Sequence, residues 1–199
     1  MHNPWDTRYS GEEYFYGTKP NTFFADFLST FNKTGKILLP GEGEGRNAVF
    51  AASRGWQVDA FDSSEVARKK ALKLAAENSV NISYQILDIE NFTAGDASYD
   101  LVSLIFIHLP EWLRVRFHAE IIKVLKPGGK LFMAAFSKEQ IAFNSGGPPD
   151  VELLYSSQIL QKDFALLLPL QLCQQRVILN EGRHHGEADI LIFVGEKLV

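Results

Sequence analysis

The apolar positions of this chain fall into short runs separated by one-sided helical stretches. Residues 36–40 (Lys-Ile-Leu-Leu-Pro), 57–61 (Gln-Val-Asp-Ala-Phe), 82–87 (Ile-Ser-Tyr-Gln-Ile-Leu), 99–107 (Tyr-Asp-Leu-Val-Ser-Leu-Ile-Phe-Ile) and 130–136 (Lys-Leu-Phe-Met-Ala-Ala-Phe) read as strands. The run at 99–107 is nearly continuous, as a strand covered on both faces should be. A helix over 22–31, capped by Asn21 or Thr22, puts Phe23, Phe24, Phe27, Leu28 and Phe31 on one side, and Lys33-Thr34-Gly35 stops it. A second helix spans 47–54 and ends at Gly55. A third starts at Asp62-Ser63-Ser64-Glu65 and fades at Asn78, and a fourth covers 110–125. Lys126-Pro127-Gly128-Gly129 is a tight turn. Strands alternating with helices predict an α/β fold around an open parallel sheet.

Beyond residue 136 the pattern changes. Residues 137–157 form a long loop, too rich in glycine and proline around 144–150 to be a strand. A short helix at 157–164 precedes two closing strands, 170–180 and 188–197, with a turn at 181–186 between them. The first 21 residues are dense in aromatics but lack a clear period. No internal repeat or boundary appears, so 1–199 reads as one domain: a lid and helix at 1–35, a core at 36–136, and an acceptor-side loop with a β-hairpin at 137–199.

The first strand runs straight into Gly41-Glu42-Gly43-Glu44-Gly45. Glycines leave bare backbone for a ligand, and the next helix starts with unpaired N–H groups. Asp62 stands about 20 residues beyond Gly41, the offset at which a carboxylate meets a ribose. The alternative is that Asp62 caps the third helix, with Glu65 three residues on as in a capping box. The spacing is G-x-G-x-G, not the dinucleotide G-x-G-x-x-G. Two glutamates in the turn repel a pyrophosphate and suit a cation, and S-adenosyl-L-methionine carries a sulfonium and an ammonium.

Several spaced motifs then agree: Leu39-Pro40-Gly41-Glu42-Gly43-Glu44-Gly45-Arg46-Asn47, Val58-Asp59-Ala60-Phe61-Asp62-Ser63-Ser64, Asp88, Tyr99-Asp100-Leu101-Val102 and Leu125-Lys126-Pro127-Gly128-Gly129-Lys130-Leu131. On these the chain resembles a class I S-adenosylmethionine-dependent methyltransferase, and within that superfamily the small bacterial branch of tellurite-resistance-type and thiol methyltransferases. The resemblance implies a doubly wound, seven-stranded, mostly parallel Rossmann-like sheet of order 3-2-1-4-5-7-6 with its last strand antiparallel. It implies that Asp88 and the backbone of Ile89 read the adenine; a solvated turn aspartate is the plainer reading of Asp88. The expected donor-binding residues are Gly41, Glu42, Gly43, Gly45, Asn47, Asp62, Ser63, Asp88, Ile89 and Ile105. Trp5 and Tyr16 join them from a lid whose aromatic faces shield the sulfonium; the alternative is that these rings only pack on the sheet edge.

His108, at the tip of the fourth strand, is the expected catalytic residue, a general base if the acceptor is protonated, and otherwise a packing residue. His184 and Arg183 would draw an anionic acceptor into the cleft. Glu42 and Glu44 would pair with the donor's ammonium, with Arg46 orienting one of them or the donor's carboxylate. The acceptor expected is a small molecule, with a thiol or a chalcogen oxyanion among those the resemblance implies. A nicotinamide-dependent oxidoreductase is the first alternative; a module that binds the donor without turnover is the second.

Composition narrows the partners. A net charge of −4 argues against nucleic acid, whose binding rests on neutralised phosphates. No apolar run reaches the ~20 residues a membrane span needs, and Met1-His2-Asn3-Pro4-Trp5-Asp6 lacks a leader pattern. The lone Cys173 fits a reducing cytoplasm. No metal-ligand cluster is expected, and the protein is expected to be a monomer or a weak homodimer.

Overall fold

The computed structural model describes residues 3–198; Met1 and His2, where the leader pattern was sought, lie outside it. In chain order come α1 (Pro4–Tyr9), α2 (Thr22–Ser29), β1 (Lys36–Pro40), α3 (Arg46–Ser53), β2 (Gln57–Asp62), α4 (Glu65–Glu77), β3 (Ser83–Ile86), β4 (Tyr99–Ile105), α5 (Glu111–Val124), β5 (Leu125–Phe136), α6 (Ser157–Asp163), β6 (Leu167–Glu181) and β7 (His184–Lys197). One sheet runs β3-β2-β1-β4-β5-β7-β6. β1 to β5 are parallel, and β7 is antiparallel to both β5 and β6. This is the order the resemblance implied.

Alternation along the central strands divides the core into two layers. Phe132, Ala134 and Phe136 of β5 face the layer that holds Phe24 of α2 and Ala48 of α3. Leu131, Met133 and Ala135 face the other, with Phe117 and Ile121 of α5 and Leu160 of α6. Side chains of a strand point to opposite faces in turn, so a sheet with helices on both sides needs apolar residues at nearly every position. That is why 99–107 and 130–136 lack alternation.

Three elements differ from expectation. α1 is a helix where no period was read; the Asn3 side chain accepts from the Trp5 N–H, and Pro4 occupies the first turn. β5 begins at Leu125, so Lys126-Pro127-Gly128-Gly129 is an irregularity within the strand, between the pairs Tyr99–Leu125 and Leu101–Lys130. The closing hairpin is tighter than a six-residue turn: Glu181 pairs with His184, and only Gly182 and Arg183 lie between. Gly182 takes φ +58°, which suits the first central position of a two-residue hairpin loop.

Gly45 precedes α3 at φ +90°, and a Cβ on it would lie 2.6 Å from the Cβ of Ala71 on α4. The glycine lets two helices touch. Gly45→Ala meets left-handed strain and a backbone clash together, and the expected loss is roughly 3 kcal/mol of stability by urea unfolding. A change under about 0.5 kcal/mol, the range of an ordinary surface substitution, would contradict this packing role.

Candidate active site

At the carboxyl ends of the strands lies a cleft of about 500 Å³, within the range of small-ligand sites. The glycine turn and the ends of β2 and β3 form one half of it. Gly41, Glu42, Asn47, Asp62, Ser63, Asp88 and Ile89 line this half, with Ile105 at the tip of β4. Gly43 and Gly45, expected beside the ligand, do not line it. A Cβ on Gly43 would meet the Tyr9 hydroxyl at 2.9 Å, so this glycine admits a protein side chain.

Glu42 does something the sequence pattern hid. Its Oε1 accepts the N–H of Asn47 at 2.8 Å and of Ala48 at 2.7 Å. Gly45, the residue before α3, has no side chain to cap the helix, and Glu42 does so from three residues earlier. Burial pushes the Glu42 carboxyl up to about 7, against the N–H of Ala48, the charge of Arg46 and the N–H of Asn47. Glu44 turns the other way, to Lys70 of α4 at 2.7 Å and the N–H of Phe15 at 2.6 Å. Only one of the two expected carboxylates therefore faces the cleft.

Asp62 ends β2. Its two oxygens accept the N–H of Gly43 at 3.0 Å and of Ser64 at 2.9 Å. It does not cap α4: Ser64 does, accepting the N–H of Ala67, and Asp6 of α1 accepts from Ser64 Oγ and from the N–H of Val66. Burial raises the Asp62 carboxyl above the usual range, opposed first by the N–H of Ser64. Asp88 is exposed, and its Oδ1 accepts the N–H of Glu90.

The other half of the cleft is aromatic. Phe106, the residue after β4, is held at φ +54°, a strained conformation for a bulky side chain. Its ring stacks on Phe136 at 4.5 Å and meets His184 edge-on at 4.9 Å. Tyr16 lies 4.6 Å from the same imidazole. Trp5 also lines the cleft and stacks on Tyr9 at 5.8 Å.

His108 lines this half, but neither ring nitrogen is free. Nδ1 lies 2.9 Å from the carbonyl oxygen of Leu153, and Nε2 accepts the N–H of Phe136 at 3.3 Å. Those partners fix the neutral form with the proton on Nδ1. Burial pushes the imidazole down to about 4. The base expected here has no lone pair to offer; its place is to hold the 151–153 turn against β5.

The hairpin tip reaches across the cleft to the opposite layer. Glu181 pairs with Arg46 at 2.8 Å, both side chains 8% exposed. Glu181 also accepts from the N–H of Thr22 and the side chain of Asn21. Asn21 in turn donates its N–H to Asn47. Arg46 is thus committed to Glu181, not to Glu42 or Glu44. The N–H of Arg183 donates to the Phe15 carbonyl. A positively charged His184 is also not what its surroundings give: burial, then the charge of Arg46, push it down to about 4. Arg8, Phe106, Phe136 and Ser103 are among the lining residues that sequence reasoning missed. Among the described residues no group of three metal-ligating side chains comes together, and no helix is long and apolar enough to cross a membrane.

In a dinucleotide fold the helix N–H groups after the glycine turn hold a pyrophosphate. Here the carboxylate of Glu42 occupies those groups, which removes the nicotinamide alternative on physical grounds. Residues 37–129 match the family described as Methyltransferase domain. That match spans 93 residues, a little under half of the chain. Its sequence is 31% identical over 121 residues to a 2-heptyl-1-hydroxyquinolin-4(1H)-one methyltransferase of Mycobacteroides abscessus, covering 59% of this chain and 51% of that protein. The chain thus spans about half the length of that curated relative. Its fold is similar to TehB from Haemophilus influenzae (TM-score 0.73, 16% identity, 89% of this chain and 62% of that one). It is similar also to the N-methyltransferase NodS from Bradyrhizobium japonicum in complex with S-adenosyl-L-homocysteine (TM-score 0.71, 13% identity, 97% and 96%).

The cleft suits S-adenosyl-L-methionine by its donor set. Asp62 offers a buried carboxylate for ribose hydroxyls, and Glu42 a carboxylate for an ammonium. The hydroxyl of Ser103, 1% exposed and lining the cleft, has no hydrogen-bond partner among the described residues.

Glu42 also gives the ligand-free protein a pH signature. Its folded-state pKa lies above its unfolded value, so between about pH 4.5 and 7 the native state holds a proton that the unfolded chain has lost. Its contribution is whole below that window and is lost as pH rises through it, at up to about 1.4 kcal/mol per pH unit. Stability measured by urea at pH 5 and pH 7.5 should fall more in wild type than in Glu42→Gln. Parallel changes in the two proteins would place the Glu42 titration elsewhere.

Proposed function

We propose that this methyltransferase moves the methyl group of S-adenosyl-L-methionine to a small neutral acceptor with an apolar body. The bound donor supplies a methyl group on a cationic sulfur, already activated, so the protein's task is position and exclusion of water. On this reading Glu42 takes the ammonium, Asp62 with Ser63 the ribose, and Asp88 with the backbone of Ile89 the adenine. Trp5 and Tyr16 close over the donor from the N-terminal segment.

The observation that carries the acceptor side is its aromatic lining, with Phe106, Phe136 and Tyr16 around His184. Arg46 is paired with Glu181, Arg8 lies over the Trp5 ring at 4.7 Å with its Nη1 directed at the Tyr16 hydroxyl, and both histidines are neutral near pH 7. A chalcogen oxyanion would find as counter-charge only the exposed Arg8, which is turned to the Trp5 ring and the Tyr16 hydroxyl. A hydroxyl or thiol on an apolar molecule fits better, and the quinolone named in the Mycobacteroides relative is of that kind. The net charge of −4 supports a partner other than nucleic acid, and the single cysteine supports a cytoplasmic setting, with the chain acting as a monomer or weak dimer.

The test is calorimetric titration with S-adenosyl-L-methionine, S-adenosyl-L-homocysteine, NADH and NADPH. Binding of the first two alone is expected; binding of a dinucleotide alone would overturn the proposal.

A further inference from the structure

We propose that His184 is the acceptor-facing residue and receives the acceptor's proton, and that the acceptor is a flat aromatic molecule bearing a weakly acidic hydroxyl. This rests on the methyltransferase reading above and names the chemistry of its acceptor. His184 is 7% exposed, and its Nδ1 is closed off from water with no hydrogen-bond partner among the described residues. Folded proteins rarely leave a buried polar nitrogen unmatched without a reason. Here the ring borders the cleft, so the missing partner is a group that a ligand brings. The contrast with His108 is direct: both of its nitrogens are held by the backbone. Of the two histidines at the cleft, His184 alone has a nitrogen to offer.

The walls around it specify shape. Phe106 is held in a left-handed conformation with its ring edge against the imidazole, and it stacks on Phe136. Strain of this kind persists where the surrounding structure imposes it, often at ligand sites. Tyr16 covers the imidazole from the N-terminal segment. Gly146 comes so near that a Cβ there would overlap the Cδ2 of His184. The imidazole is therefore fixed in place, between flat rings that suit a flat ligand.

The charges around His184 suit a neutral proton acceptor. Arg46 of α3, Arg8 of α1 and His108 disfavour the imidazolium, and Glu181 on the paired strand β6 favours it. A neutral imidazole of low basicity suffices, because a hydroxyl proton becomes strongly acidic once its oxygen bonds to carbon. As the acceptor's oxygen forms the new bond to the methyl carbon, the sulfur–carbon bond breaks and its electron pair stays on sulfur. The hydroxyl proton passes to Nδ1 of His184, the carboxylate of Glu181 steadies the imidazolium, and the proton on the other ring nitrogen, Nε2, then leaves to water.

The experiment uses wild-type protein saturated with S-adenosyl-L-homocysteine and two probes that differ only at the oxygen, 2-naphthol with its hydroxyl and 2-methoxynaphthalene with a methyl ether. We expect 2-naphthol to bind at least tenfold more tightly, and the imidazole nitrogen resonances of His184 to move with 2-naphthol and not with its ether. In His184→Phe, which keeps a ring in the cage, the preference should collapse to about one while homocysteine-nucleoside affinity stays within twofold. His184→Gln, which keeps a hydrogen-bond acceptor, should retain part of it. A purely structural role would weaken both probes equally. Equal binding of the two, binding of neither, or a preference that survives in His184→Phe overturns the proposal. Should wild type fail to bind S-adenosyl-L-homocysteine at all, the methyltransferase reading fails instead.

Discussion

Asp62→Ala should lower affinity for S-adenosyl-L-methionine by about 100-fold or more and lower stability at the same time. The two effects have separate origins. Two hydrogen bonds from ribose hydroxyls to a carboxylate, at about 1.5–3 kcal/mol each, correspond to roughly that factor in affinity. The stability loss comes from inside the protein: the N–H groups of Gly43 and Ser64 lose their acceptor. Both residues are buried, and an unmatched buried donor costs about 1–3 kcal/mol. Asp62→Asn separates the terms. Its one carbonyl oxygen can still serve one of the two N–H groups, so stability recovers in part, while the loss of charge keeps donor affinity low. Calorimetry gives the first quantity and urea unfolding the second. If Asp62→Ala binds the donor as wild type does, the carboxylate serves only to tie β2 to the glycine turn.

The placement of Asp62 shows why the cofactor half was readable from the chain. A turn, a helix and a strand of ordinary lengths separate Gly41 from Asp62, and the register of β1 against β2 brings them together. Local pattern is enough for that. Core strands were readable for a similar reason, since a sheet covered on both faces demands apolar residues at consecutive positions. The hairpin was not. Residues 184–187 of β7 are His-His-Gly-Glu, with no apolar alternation, yet they pair because the backbone register continues from the apolar stretch beyond them. Helix α1 has six residues, too few to display a period, and only the Asn3-Pro4 pair marked its start. Glu42 was assigned to a ligand by its position in the turn, whereas its capping role depends on how that turn folds back on α3. The left-handed Phe106 has no signature in composition or spacing. What the chain hides in this protein is contact between segments distant in sequence, and the acceptor half is built mostly from such contacts.

Glu181 is the clearest case, and its replacement carries the largest expected cost in stability. The carboxylate ties three elements together: β6 through its own backbone, α3 through Arg46, and α2 through the N–H of Thr22 and the side chain of Asn21. Glu181→Ala leaves the Arg46 guanidinium buried without its anion, with only the carbonyls of Tyr16 and Lys19 at the limit of hydrogen bonding. Breaking a buried ion pair from one side costs about 3–5 kcal/mol. An exposed pair would be worth about 0–1 kcal/mol, so the measurement discriminates sharply. Removing both partners should cost less than the sum of the single losses, because neither charge is then stranded. Arg46→Met with Glu181→Leu should thus recover most of the loss, short of about 1 kcal/mol for the contacts at the start of α2. Urea unfolding of the two single variants and the double variant completes the cycle. The same variants should expose the N-terminal segment, because Asn21, Asn47 and Glu42 form one hydrogen-bonded chain leading from Glu181 to the donor half of the cleft. Hydrogen exchange at residues 14–22 should therefore rise in Glu181→Ala and return toward wild type in the double variant. Additive losses, with exchange unchanged at those residues, would mean that the pair is incidental to how the two halves of the cleft are held together.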